Sequence, residues 1–270
     1  MDLSKGIILI GLGTEYTRLA FNLTKSIKKH NPELSICCLT DTTNPELLEA
    51  FDEVIKPAPF HYLEDGYIFN PFKLKTYIYD YSPFQETIYL DVDAVCLKDI
   101  KNLFSNFKIQ EVGRYSKETI KDSDCVWFKK DIDLFSLYNL TNVYPEYNSS
   151  FVSFNKSPIN KSYFDLVKKM YSDRRFEFTA IGRCYPDEMA FGIASSMMEH
   201  YSETTDSPIA FWWYLKNRNA SLSEIIQDYY FIGLAGGHIK GKVLGYYHVL
   251  MKQVTPYWNF QMKNKIFHKK

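Results

Sequence analysis

Apolar residues fall along this chain in two alternating rhythms. Gly6–Leu12 reads GIILIGL, the continuous apolar run of a short buried strand. From Thr14 the rhythm becomes helical: Ala20, Leu23 and Ile27 share a stripe, Lys25, Lys28 and Lys29 lie off it, and Thr14 is placed to cap the first turn. Ser35–Thr40 is a second strand, Pro45–Phe51 a short helix, and Glu53–Lys56 a third strand closed by Pro57 and Pro59. This β-α-β-α-β order predicts the opening of a parallel α/β sheet. After an aromatic loop, His61–Phe69, the spacing predicts one helix over Pro71–Tyr81 that carries Lys73 and Lys75, and then a strand, Glu86–Leu90. Beyond Asn102 the pattern weakens. It leaves short mixed segments at Ile109–Val112 and Val126–Lys129, a strand at Phe151–Phe154, a helix at Ile159–Tyr171 and another starting at Pro186–Asp187. Tyr229–Leu234 then runs into Gly236, Gly237 and His238, and the chain ends in a basic tail, Lys263–Lys270. No internal repeat or low-complexity linker divides the sequence. The fold class expected from this pattern is α/β, with no clear domain boundary.

Composition changes this picture little. The chain has 270 residues, 46% hydrophobic and 24% charged, enough for a full core. Its zero formal net charge provides no global field toward nucleic acid or an anionic membrane, leaving only a local basic groove for such partners. The five cysteines (Cys37, Cys38, Cys96, Cys125, Cys184) are odd in number and lack C-x-x-C spacing, as expected of reduced thiols in a cytoplasmic protein. No apolar run reaches membrane length, and the N-terminal one is too short for a signal-peptide core.

Candidate chemistry centres on YLDVDAV at 89–95, where a buried strand delivers Asp91 and Asp93. Two like charges at a strand end repel each other and are costly to desolvate. A solvated turn before Leu97 would remove that cost, and so would Mg²⁺ or Mn²⁺ held by two hard oxygen donors at the carboxyl edge of an α/β sheet. D-x-D-x-V also fits the aspartyl-phosphate phosphatases, although their motif stands on the first strand and here a whole β-α-β-α-β unit precedes it.

The wider context carries a resemblance. GLGTEYTRLAFNLTKSIKKHNPELSICCLTD at 11–41 resembles the first β-α-β of the GT-A-type glycosyltransferases, nearest to the glycogenin-like and galactosyltransferase-like retaining group. FNPFKLKTYIYDYSPFQETIYLDVDAVCLKDIKNLF at 69–104 is similar to that group's basic helix, strand, D-x-D and sequel. YNSSFVSFNKSP at 147–158, YPDEMAF at 185–191 and HIKGK at 238–242 resemble later pieces in the same order.

The resemblance implies a metal-dependent transferase that moves a sugar from a nucleotide-diphosphate donor, a UDP-sugar by first choice, with retention. The acceptor would be a glycan, a protein, a lipid or a modified nucleic-acid base. It implies an α/β fold: a single GT-A-like, Rossmann-like catalytic domain over 1–245 with a mixed, mainly parallel central sheet flanked by helices, and a small helical, basic extension over 246–270 packed on it. Mn²⁺ or Mg²⁺ would be held by Asp93, Asp91 and His238, with His248 as the fallback. Leu12, Gly13, Thr14, Tyr16, Lys75, Val92 and Lys242 would join the two aspartates around the nucleotide sugar, and Asp187, Glu188 and Asn148 would serve the transfer itself. Three alternatives stay open: a sugar nucleotidyltransferase, which would want a basic glycine-rich first loop that Gly11-Leu12-Gly13 lacks; the phosphatase; and a non-catalytic glycan-binding relic. Ser150 and Glu188 depart from the resemblance, which expects a glycine and an amide there.

Overall fold

A computed structural model describes residues 3–64, 68–120, 133–173, 186–203, 206–211, 221–233 and 252. The opening β-α-β-α-β forms as the hydrophobic rhythm predicts: β1 (Lys5–Ile10), α1 (Gly13–His30), β2 (Ser35–Leu39), α2 (Pro45–Leu48) and β3 (Glu53–Ile55). Inside the predicted aromatic loop lies a small antiparallel ribbon, β4 (Leu63–Glu64) with β5 (Ile68–Phe69). The helix expected over Pro71–Tyr81 is two, α3 (Pro71–Lys75) and α4 (Ile78–Tyr81). Between them the Thr76 hydroxyl donates back to the Lys73 carbonyl at 2.8 Å, competing with the helical ladder.

There follow β6 (Glu86–Leu90), β7 (Ala94–Cys96), β8 (Phe107–Tyr115), α5 (Leu134–Tyr138) and β9 (Tyr144–Asn155). The last described elements are α6 (Pro158–Ser172), α7 (Glu188–Met198), β10 (Ile209–Phe211), α8 (Leu222–Asp228) and β11 (Phe231–Gly233). β8 and β9 run well beyond the predicted Ile109–Val112 and Phe151–Phe154, because Gln110, Glu111, Arg114, Glu146 and Asn148 interrupt their apolar signal. Val126–Lys129, the boundary at 245 and the basic tail lie outside the described residues, and of the 246–270 extension only Lys252 is described.

The central sheet has the order β3-β2-β1-β6-β9-β8. β3, β2, β1 and β6 are parallel, while β9 is antiparallel to both β6 and β8. A second sheet, β10-β11-β7, branches from the end of β6. Strand alternation divides the core into two layers. Ile7 and Leu9 of β1 face α1, packing with Leu19, Ala20, Leu23 and Ile27. Ile8 and Ile10 share the other layer with Tyr89, Phe164 and Val167 of α6, and Phe191 of α7. α7 is apolar nearly all round and buried from Glu188 to Ser196, as such a helix must be. Gly192 lets it approach β9: a Cβ there would sit 2.4 Å from the Pro145 carbonyl oxygen and 2.7 Å from the Tyr144 ring.

Strand order reverses at β1. The chain steps outward to β2 and β3, then returns to add β6 on the other side of β1, opening a crevice beyond the carboxyl ends of these two strands. Cys37, Cys38 and Cys96 are free and buried, and burial pushes the Cys96 thiol up to about 12. Among the described residues no helix is long and apolar enough to cross a membrane.

Candidate active site

Two turns border the crevice. On the β1 side the chain passes Gly11 and Leu12 into α1. Thr14 is not the cap: the helix starts at Gly13, with Leu12 in the cap position and no side-chain capping bond from it. Instead Asp41, just past β2, accepts the Gly13 N–H at 2.6 Å, and Gly13 takes φ +74°, a left-handed conformation suited to glycine. Thr17 ties this turn together, donating to the Gly11 carbonyl at 2.6 Å and meeting the Thr40 hydroxyl at 2.9 Å. Thr14 and Tyr16 are exposed, so Tyr16 presents its ring at the surface rather than to the core.

On the β6 side Asp91 follows the strand, Val92 and Asp93 make a turn, and β7 begins at Ala94. The Asp91 N–H donates to the Ser150 carbonyl at 2.9 Å. That bond continues the β6–β9 register one residue past Leu90↔Phe151, while on its other side β9 bulges against β8. Ile109 of β8 pairs with Val152 but Gln110 pairs with Asn148, so Ser149, Ser150 and Phe151 have no β8 partners and are re-aimed. The Asn148 side chain accepts the Ser150 N–H at 3.0 Å and pins the bulge. Ser150 keeps an ordinary backbone conformation, Asn139 and Glu199 being the non-glycine residues with positive φ among those described, so its side chain costs no strain where glycine was expected.

Lys75, at the end of α3, projects into this bulge. It is buried, with its ammonium 3.0 Å from the Ser149 hydroxyl, 3.1 Å from Asp91 Oδ1 and 3.6 Å from Asp187 Oδ1. Burial alone would lower the Lys75 pKa; the charges of Asp187, Asp91 and Glu188 outweigh it and raise the pKa above the usual lysine range. Lys75 is therefore a fixed cation. The Tyr89 hydroxyl donates to the same Asp91 oxygen at 2.5 Å. Burial, and then the Asp91 charge, pushes the Tyr89 pKa well up, so this phenol stays a donor.

Asp187 and Glu188 arrive from the start of α7, as the sequence predicts. Asp187 occupies the N-cap position without capping the helix. It is fully buried, and neither carboxylate oxygen has a hydrogen bond of normal geometry; Lys75 and the nearby Ser149 hydroxyl are what favour its charge. Burial still holds its pKa above the usual carboxylate range. Glu188 is also buried, with Oε2 unpartnered, and burial followed by repulsion from Asp187 lifts its pKa to about 8. The cluster thus sets one ammonium among three carboxyl groups, those of Asp91, Asp187 and Glu188.

The structure thus brings together Lys75, Asp91, Asp187, Glu188 and the Asn148 bulge, with Val92 and Asp93 on the adjoining turn. His238, Lys242 and His248 lie outside the described residues. Ser149 and Tyr89 were missed as site residues. The alternation of β6 places Tyr89 and Asp91 on one side and could have shown the tyrosine; a bulge has no comparable sequence signal.

Two carboxylates beside a turn, Asp91 with its side chain 31% exposed, fit an oxygen-preferring divalent cation. The excess of acidic over basic residues in the cluster also fits, because it would disfavour a diphosphate unless a cation stood between them. Among the described residues no three His, Cys, Asp or Glu side chains converge as a metal site, so Asp91 and Asp93 would supply at most a partial shell.

No protein-family model and no curated protein matches this chain. Solved structures do. The galactosyltransferase LgtC, in complex with donor and acceptor sugar analogues, superposes with a TM-score of 0.58 at 11% identity, covering 93% of this chain and 96% of that one. The bifunctional glycosyltransferase WbbM gives 0.54 at 13% identity over 87% of this chain, which spans only 46% of the WbbM chain. Mouse xyloside xylosyltransferase 1 gives 0.51 at 13% identity, covering 88% of this chain and all of that one. With 93% of its residues superposed on LgtC, this chain has the fold of the GT-A-type glycosyltransferases.

Proposed function

We propose that this protein is a metal-dependent glycosyltransferase that moves a sugar from a nucleotide-diphosphate donor, a UDP-sugar first, onto an acceptor, with retention at the anomeric carbon. The observation that carries the reading is the junction of Lys75, Asp91 and Asp187 at the mouth of β6, beside Asp93, in the crevice where strand order reverses. Glycosyl transfer needs charge control at its leaving group and hydroxyl recognition at its sugar, and the crevice holds groups for both.

Asp93 and Asp91 would hold Mn²⁺ or Mg²⁺, and a cation there would supply Lewis-acid stabilisation of the charge growing on the departing diphosphate. Lys75 orients Asp91 from within the protein. Asp187, ion-paired with Lys75 but without a close hydrogen bond to either oxygen, would accept hydrogen bonds from sugar hydroxyls. Glu188, protonated at neutral pH, would donate one. Asn148 holds the bulge at which donor and acceptor would meet. Leu12, Gly13 and Thr14 would lie along the nucleotide, with exposed Tyr16 stacking on its base.

His238 remains our third ligand. β11 runs antiparallel to β7 with Gly233 opposite Ala94, so the described chain reaches the residue after Asp93 just five positions before His238. Lys242, a little further on, would serve the departing diphosphate.

The test is a panel of nucleotide sugars with Mn²⁺, read as nucleoside diphosphate released with and without simple sugar acceptors. Cation-dependent release from one donor, carried out by the wild type and lost in Asp93→Ala, is the expected result. No release from any donor by wild type and mutant alike would refute the reading. The anomer of the product, read by proton NMR, decides retention.

A further inference from the structure

Tyr89 has no part in the chemistry just described, yet its geometry is aimed at it. The residue is buried in β6, where phenylalanine would satisfy the core at no polar cost, and a buried phenol must find a partner. The partner is Asp91. Its Oδ1 receives the Tyr89 hydroxyl at 2.5 Å and the Lys75 ammonium at 3.1 Å, and that ammonium lies 5.4 Å from the centre of the Tyr89 ring. Ser149 holds the ammonium from the other side at 3.0 Å. Two buried donors on one oxygen fix the carboxylate's rotation, so that Oδ2 is the oxygen left for a ligand.

We propose that Tyr89 is a positioning residue that sets the affinity of Asp91 for the cation–nucleotide ligand without touching it. This inference rests on the glycosyltransferase reading above. In Tyr89→Phe the carboxylate keeps its charge partner, Lys75, but gains a rotational freedom that binding must remove. Hydrogen bonds to a charged group of this kind are worth about a tenfold change in an equilibrium constant.

The experiment titrates Mn²⁺ into the full chain with UDP present, following free Mn²⁺ by electron paramagnetic resonance, for wild type, Tyr89→Phe and Tyr163→Phe. Tyr163 is a fully buried control whose hydroxyl donates to the Phe191 carbonyl at 3.0 Å, so its variant reports the general effect of losing a buried phenol. Tyr89→Phe is expected to raise the Mn²⁺ dissociation constant about tenfold. Its turnover should return to within about twofold of wild type once Mn²⁺ is saturating, because positioning for binding is all that was lost. Tyr163→Phe should leave the dissociation constant unchanged. Wild-type affinity in Tyr89→Phe, or an equal loss in both variants, would overturn the positioning role while leaving the parent reading intact. Failure of the wild type to bind Mn²⁺ and UDP would remove both.

Discussion

Replacing Lys75 by methionine would leave Asp187 fully buried without its ion pair, and Asp91 without one of its two inward donors. Breaking a buried pair by removing one partner leaves an uncompensated charge, so Lys75→Met should cost about 3–5 kcal/mol in a denaturant titration. Adding Asp187→Asn should recover part of that loss, because it removes the stranded charge. Glu188 gives a sharper test through pH. Its carboxyl sits at about 8 in the folded protein against an ordinary value of 4.5, raised first by burial and then by Asp187. The native state thus binds this proton more tightly than the unfolded chain does. Its stabilising effect is complete below the unfolded value, falls as pH rises toward about 8, and is gone above it. Glu188→Gln lacks this slope. The melting temperature of the glutamine variant relative to wild type should therefore rise from pH 5 to pH 8.5, by a few degrees or about 1 kcal/mol or more. A flat difference would mean that Glu188 is neither buried nor short of partners.

At the scale of elements, the β9 bulge and the close fit of α7 against β9 place the site. Gly192→Ala would drive a Cβ into the Pro145 carbonyl and the Tyr144 ring, neither of which is the free end of a flexible chain. We expect about 1–3 kcal/mol of destabilisation by denaturant titration. Donor KM should rise as well, because the shift is passed along β9 to Asn148 and Ser149. The elements legible in the sequence were those whose environment matches their pattern. β1, β2 and β6 lie within the sheet and read as apolar runs, and α1 reads as a stripe because one face meets the sheet. β9 was only partly legible, since its first half leaves simple alternation exactly where it serves the site, at Asn148–Ser150. The break after Lys75 was hidden as well, because it depends on one hydroxyl, that of Thr76, bonding backward.

At the scale of the molecule, topology brings distant sequence together. Residues 75, 91, 149 and 187 share one cluster because β6 returns beside β1, β9 folds back along β6, and α7 packs on β9. Asp91, Asp93, Lys75 and Asp187 were legible as candidates because each sits at an element boundary, where a charge has no packing reason to be. Their pairing was not, since the sequence offered Lys75 equally as a solvated lysine on a helix. The second sheet returns the chain at Gly233 to Ala94, the residue after Asp93. The central claim, that the Asp91–Asp93 turn holds a cation and a nucleoside diphosphate together, is tested most directly by thermal unfolding with Mn²⁺ and UDP singly and combined. Wild type should melt several degrees higher only when both are present, and Asp93→Ala should lose that rise while melting near wild type without ligand. Equal stabilisation of wild type and Asp93→Ala, or none of either, would contradict the claim.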